Sequence, residues 1–183
     1  MNITVDISDT FIETERLVLR PWKESDLSAL YEYASVDGVG EAAGWRHHES
    51  IDVSRNVLQS FIEQKNVFAL VKKINVKVVG SLSFHCSWAS DTPKYAHLHS
   101  TDIGFVLSRD YWGRGLMPEA VMAALGYCFS TLGLDTVTCS HFDGNHQSQR
   151  VIEKCGFTFA GKSSFYSQQL GTVVEEMRYL KSG

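Results

Sequence analysis

The spacing of apolar residues changes several times along the chain, and the changes predict short strands alternating with amphipathic helices. Arg16 to Arg20 alternates at period two and stops at Pro21, which predicts a first strand. Ser25 and Asp26 then open a helical pattern in which Leu27, Leu30, Tyr31 and Ala34 share a face. Residues 36–49 hold Gly38, Gly40 and Gly44 with a polar Arg46-His47-His48 run, and are expected to form a loop. From Ser50 a second helix carries Ile51, Ser54, Val57, Leu58, Phe61 and Ile62 along one stripe. Strands are expected at 67–71 and 76–84, with Asn75 at the turn, and at 95–107. A helix at 118–132, a strand at 136–141, a short helix at 147–155 and closing strands at 157–166 and 172–180 complete the pattern. Residues 1–13 read as an ill-ordered leader or an edge strand.

This order requires a mixed sheet, so the class is α+β or α/β, with seven strands and about four helices. The 183 residues fit one domain spanning 1–183, with 1–13 as its leader. A net charge of −4 gives no global positive field, so nucleic acid is not an expected partner. No apolar run reaches the ~18 residues that span a membrane, and the N-terminus lacks the basic and apolar regions of a signal peptide. Cys86, Cys128, Cys139 and Cys155 form no C-x-x-C pair. A cytoplasmic protein with reduced thiols is expected, as a monomer or a homodimer.

The segment Arg109-Asp-Tyr-Trp-Gly113-Arg114-Gly115-Leu116-Met117-Pro118 joins a strand to a helix within a β-α-β crossover. Glycines at 113 and 115 permit a tight turn and close approach by a ligand. The following helix start offers unpaired N–H groups and the positive end of its dipole, and Pro118 suits its first turn. Arg114 can add a charge-assisted contact to phosphate. No Gly-Lys-Ser/Thr is present for a nucleotide P-loop, and proline at 118 replaces the third glycine of a dinucleotide fingerprint. A bend that merely starts a helix remains open from this loop alone.

A second cluster, Asn145-x-x-Ser148-x-x-Val151-Ile152-x-x-Cys155-Gly-Phe157, narrows the choice. Asn145 can cap a helix or contact a ligand. Ser148 shares a helical face with Val151, Ile152 and Cys155, so its hydroxyl calls for a partner, either an i−4 carbonyl or a ligand.

Together with Thr14-Glu-Arg-Leu-Val-Leu-Arg20-Pro, Asp102-Ile-Gly-Phe-Val-Leu107 and Glu119-Ala, these clusters resemble the GNAT superfamily of N-acyltransferases. The nearer likeness is its ribosomal-protein N-terminal acetyltransferase (RimJ/RimL) branch, and it covers roughly residues 14–180. The resemblance implies that acetyl-CoA is the acetyl donor. Its pyrophosphate would lie on the amides of Gly113, Arg114, Gly115, Leu116 and Met117. Its pantetheine arm would pair with the strand end at Val106 and Leu107. Asn145 would hold the arm from the other side, and Ser148 would approach the sulfur. Asp110 stands where the family has Arg or Gln, which removes one phosphate contact.

The implied reaction moves an acetyl group directly to a primary amine, of a protein N-terminus or a small molecule. It needs a neutral amine, a stabilised oxyanion and a tolerable thiolate. Asp102 occupies the strand where relatives place a glutamate base, and is read as the base or as a structural strand carboxylate. Glu41 is the next candidate base. Trp45 is read as an acceptor-pocket wall or a core plug, and His47 and His48 as pocket residues or solvent-facing ones. His97 and His99, placed on one strand face, lack the companions of a metal site, so no metal is expected. A catalytically silent CoA-binding sensor or interaction module is the alternative reading.

Overall fold

The computed structural model describes residues 1–183, arranged as one eight-stranded mixed sheet with two helices on each face. The strands are β1 (Ile12–Glu13), β2 (Leu17–Pro21), β3 (Val67–Lys72), β4 (Lys77–His85), β5 (Ser100–Leu107), β6 (Thr136–Phe142), β7 (Thr158–Ser167) and β8 (Thr172–Ser182). The helices are α1 (Leu27–Ala34), α2 (Ile51–Gln64), α3 (Leu116–Gly126) and α4 (His146–Lys154). In space the strands run β1-β2-β3-β4-β5-β6-β8-β7, and every neighbouring pair is antiparallel except β5 with β6. The α+β class holds, with one strand more than the seven expected.

The centre of the sheet is buried on both faces, which explains the unbroken apolar run of β3. Val67, Ala69 and Val71 point to a cluster beneath α1 and α2 that also holds Trp22, Leu30, Tyr33 and Leu58. Phe68 and Leu70 point the other way, into the larger cluster beneath α3 and α4. There Ala120 and Ala124 are fully buried, and their small side chains let α3 lie close to the sheet. Helix α3 ends in a wider turn at Tyr127–Thr131, where the Leu132 amide reaches back five residues to the Tyr127 carbonyl.

Two expectations are corrected. Residues 1–13 belong to the fold rather than forming a leader. Val5 and Ile7 are buried in the larger cluster, the Ile3 amide donates to the Ser100 carbonyl, and only Ile12–Glu13 forms the edge strand. The expected strand at 95–107 begins at Ser100. Tyr95, His97 and His99 alternate as a strand would, but the amides of Tyr95 and Ala96 turn back to the Thr92 carbonyl. His99 instead faces Asp135, with Nδ1 3.2 Å from Oδ2. No helix is long and apolar enough to cross a membrane.

Candidate active site

Strands β5 and β6 run in register only from Ser100–Asp102 against Thr136–Thr138 and then diverge. Strand β5 stays paired with β4 as far as Leu107, so one edge of its last five residues faces an open cleft. The Ser108 amide donates to the Val79 carbonyl. By alternation in an antiparallel ladder, the N–H groups of Val106 and Gly104 also point to β4, while those of Phe105 and Leu107 point into the cleft. The Leu107 carbonyl is taken by the Trp112 indole N–H at 2.8 Å.

At the end of the cleft the chain turns through Gly113 and Gly115, at φ +73° and +74°, a region costly for other residues. Gly115 caps α3, and the amides of residues 113–117 donate to no acceptor within the protein. Arg16 braces this loop from the bend just before β2. Its Nη1 donates to the Arg114 carbonyl at 2.9 Å, and its Nε donates to Glu119 Oε2 at 2.7 Å. Glu119 also accepts from the Thr14 hydroxyl and the Arg16 amide, which hold its carboxyl below the ordinary range despite partial burial. The Thr-x-Arg pair near the N-terminus and the Glu119 of α3 thus form one clasp around the loop. The Arg114 guanidinium lies over the Tyr111 ring, 5.5 Å from its centroid.

Across the cleft stands α4. Asn145 Oδ1 accepts from the Ser148 amide at 3.0 Å, and Nδ2 donates to the Ala42 carbonyl at 2.9 Å. Asn145 therefore caps the helix and ties the loop between α1 and α2 across the cleft. The Ser148 hydroxyl has no hydrogen-bond partner in the protein; only its backbone amide is engaged. A cavity of about 330 Å³ follows this path, bounded by the ends of β5, the glycine loop and the α4 face carrying Asn145, Ser148 and Val151.

A second cavity, of about 620 Å³, lies on the α1–α2 side of the sheet. Its floor is a polar stripe. His85 pairs in register with Asp102, Ser83 with Gly104, and Ser81 with Val106, so alternate residues of β4 and β5 face it. Asp102 is half-buried, and the Thr138 hydroxyl donates to its Oδ1. Burial is the largest influence and raises the Asp102 carboxyl to about 7. The Thr138 hydroxyl opposes the rise, Glu176 adds to it and Arg178 opposes it. Ser83 Oγ sits 2.7 Å from His85 Nε2, and burial lowers the His85 imidazole below its ordinary value. The walls come from α1, α2, the loop at 36–49, and the β7–β8 hairpin with Phe165 and Gln169.

The two cavities share Ala42, Ala43, Phe105, Val106 and Ser148. A molecule lying along β5 and another on the polar stripe would meet there. A helix start with unengaged amides, an open strand edge and a single bare hydroxyl are thus brought together along one path.

A profile described as "Acetyltransferase (GNAT) domain" matches residues 16–158. The chain belongs to the GNAT acetyltransferase family. An uncharacterized N-acetyltransferase of Bacillus subtilis (strain 168), YoaA, is 28% identical over 174 residues, covering 92% of this chain and 94% of that protein. A crystal structure of a GNAT-family acetyltransferase from Bacillus anthracis superposes with a TM-score of 0.81 at 24% identity, covering 94% of this chain and 98% of that one. A putative ribosomal-protein-serine acetyltransferase from Vibrio cholerae superposes at 0.79 and 16% identity, covering 96% and 99%. Structural neighbours of this GNAT chain thus include the RimJ/RimL type.

Within this GNAT frame some expected site residues lie elsewhere. Glu41 faces neither cavity. It accepts from the amides of Gly38 and His47 and contacts His47 Nδ1 at 2.9 Å. Burial alone would raise its carboxyl, but these bonds, led by the His47 amide, bring it down to about 2. His47 is turned back to Glu41 and Asp37, so it does not line the second cavity, where an acceptor-pocket role was expected of it; this corrects its assignment. Its neighbour His48 lines the cavity instead, with Nδ1 2.7 Å from Ser54 Oγ. Trp45 does line the cavity, and its ring lies over Gly40, where a Cβ would come within 2.3 Å. The Asp37–Glu41–His47 group has the outline of a metal site; Glu41 is engaged by the Gly38 and His47 amides and by His47 Nδ1, while Asp37 is exposed.

Several cavity residues escaped the sequence reading: Arg46, Ser83, His85 and Glu176. For β4 a signal existed. Polar Ser81, Ser83 and His85 alternate with apolar Leu82 and Phe84, the pattern of a strand with one wet face.

Proposed function

We propose that the protein is an acetyl-CoA-dependent N-acetyltransferase that moves the acetyl group directly to a primary amine. The observation that carries this reading is the junction of the two cavities at Phe105, Val106 and Ser148. In this reading the amides at 113–117 hold the pyrophosphate, and Arg114 adds charge beside it. The edge of β5 at Phe105 and Leu107 pairs with the amides of the pantetheine arm, beside Val106 and opposite Asn145. The Leu107 or Phe105 N–H stabilises the oxyanion as the amine nitrogen bonds to the thioester carbon.

Asp102 takes the amine proton, directly or through a water. A carboxyl raised to about 7 is matched to that work at neutral pH, whereas Glu41, held to about 2, is a poor base. As the C–S bond breaks, Ser148 donates a hydrogen bond to the departing thiolate. The thiolate has a reference pKa of ~8.5 and needs no stronger acid. Trp45 forms part of the acceptor wall. All four cysteines are free thiols and three are buried, which suits a reducing cytoplasm.

A thiol-release assay with acetyl-CoA against protein N-terminal peptides, amino acids, polyamines and aminoglycosides tests the proposal, with product mass confirming transfer. Thiol release dependent on one acceptor class is the expected result. Acetyl-CoA bound without transfer to any amine would favour a sensor module instead.

A further inference from the structure

We infer that the amine acceptor carries one anionic group, as an amino acid or an aminoalkyl phosphate does, and that Arg46 receives that group. The inference rests on the transferase reading and narrows its substrate. It comes from the charges facing the acceptor cavity. Glu176 is bound by Arg178, whose Nε donates to Oε1, so that pair contributes no net charge. His48 is lowered by burial and by neighbouring His47, and His85 by burial, so both are neutral above pH 7. The third lining histidine, His141, is engaged by the Phe142 carbonyl and the Tyr179 hydroxyl. Of the carboxylate and arginine side chains lining the cavity, Asp102 and Arg46 are left without an ionic partner.

Arg46 is fixed by its backbone, not by its guanidinium. Its amide donates to Gln169 Oε1 at 3.3 Å, where the loop at 36–49 meets the β7–β8 hairpin. The Ser167 hydroxyl donates to the Gly44 carbonyl at the same contact. The guanidinium itself enters no ion pair and no hydrogen bond, and Arg46 is among the residues that line the cavity. An arginine held at the rim, with a carboxylate on the floor, complements a molecule with an amine at one end and an anion at the other. A polyamine or an aminoglycoside brings several positive charges and would find one unpaired carboxylate and an opposing cation. The same cavity is lined by Trp45 and by the Phe142–Phe165 pair, whose ring centroids are 5.8 Å apart, so an apolar side chain is accommodated.

The test measures kcat/KM for phenylalanine and phenylalaninamide, for phosphoethanolamine and ethanolamine, and for spermidine, in wild-type protein and Arg46→Gln. Comparing the acid-to-neutral ratio between the two proteins cancels differences in amine basicity. The wild-type protein is expected to favour the acid in at least one pair, and that preference should fall ~10-fold or more in Arg46→Gln, as for loss of a charge-assisted contact. Arg46→Lys should restore part of it. Arg46 is exposed, so the variant should fold, and an unchanged acetyl-CoA affinity checks this. The carboxylate and phosphate pairs separate the two sources of the anion. Equal rates for acid and neutral partner, a ratio unmoved by Arg46→Gln, preference for spermidine, or silence of both acids would overturn the inference. Failure of the wild-type protein to bind acetyl-CoA would instead overturn the transferase reading beneath it.

Discussion

The two cavities that meet at Ser148 are made of different material. The donor side is mainly backbone: the free edge of β5, the amides at 113–117 and the first turn of α3, drawn from one stretch of chain. The acceptor side is mainly side chains, contributed by α1, α2, β4, β5, β6, the loop at 36–49 and the β7–β8 hairpin. A backbone site tolerates substitution as long as its glycines and helix remain. A side-chain site changes character with each residue. Substitution is therefore expected to change the acceptor half more readily than the donor half.

Mutations that strike one half should leave the other intact, and the largest effect is expected at the floor of the acceptor side. Asp102→Asn should lower kcat ~100-fold or more, as for loss of a general base, while calorimetric acetyl-CoA affinity stays unchanged. Activity of the wild-type protein should rise with pH through about 7 as Asp102 loses its proton, and this limb should vanish in the variant. A limb that persists would remove Asp102 from the base role. On the donor side, Gly115→Glu puts a carboxylate and a strained positive φ at the proposed pyrophosphate cradle. It should weaken acetyl-CoA binding ~10-fold or more, with unchanged affinity counting against the cradle.

Ser148 lies on the boundary. Ser148→Ala should reduce turnover ~10-fold with little change in donor affinity, since in the proposed mechanism its hydrogen bond is made chiefly to the departing thiolate. Equal losses in both would make it a simple binding contact. Gly40→Ala should displace the Trp45 ring and raise the acceptor KM roughly threefold, leaving donor affinity alone.

The smallest effect is expected at Glu41, which orders the loop at 36–49. Its folded carboxyl titrates near 2, below its ordinary 4.5, so its ionised form stabilises the fold above pH 4.5. That contribution is lost as pH falls through about 2. Glu41→Gln should lower the urea midpoint slightly at pH 7 and leave the activity limb near pH 7 in place. A shifted limb would return Glu41 to the chemistry.

The same division explains what could be read in the sequence. Gly113, Gly115, Pro118, Asn145 and Ser148 act through local geometry, so their spacing was enough to place the loop and the α4 cap. The diverging strands left no such mark, because β5 and β6 keep their apolar residues whether or not their backbones pair. His85 reaches Asp102 through strand register, and Glu176 through β8 crossing to the far side of β6; neither contact has a local signal. His47 and His48 are adjacent and alike in sequence, and only the pull of Glu41 on one of them decides which faces the cavity. At 95–99 the period-two pattern imitates a strand, but Thr92 captures two amides and closes a turn.

The short parallel join of β5 to β6, three residue pairs long, has a mechanical consequence. It makes the sheet a two-leaved structure, with β1–β5 in one leaf and β6–β8 in the other, fastened most tightly at one end of the seam. A donor molecule bound as proposed would touch both leaves and act as a second fastening. Saturating acetyl-CoA should therefore raise the melting temperature and slow hydrogen exchange at Phe105 and Leu107. Release of the spent carrier would loosen that seam once in every catalytic cycle.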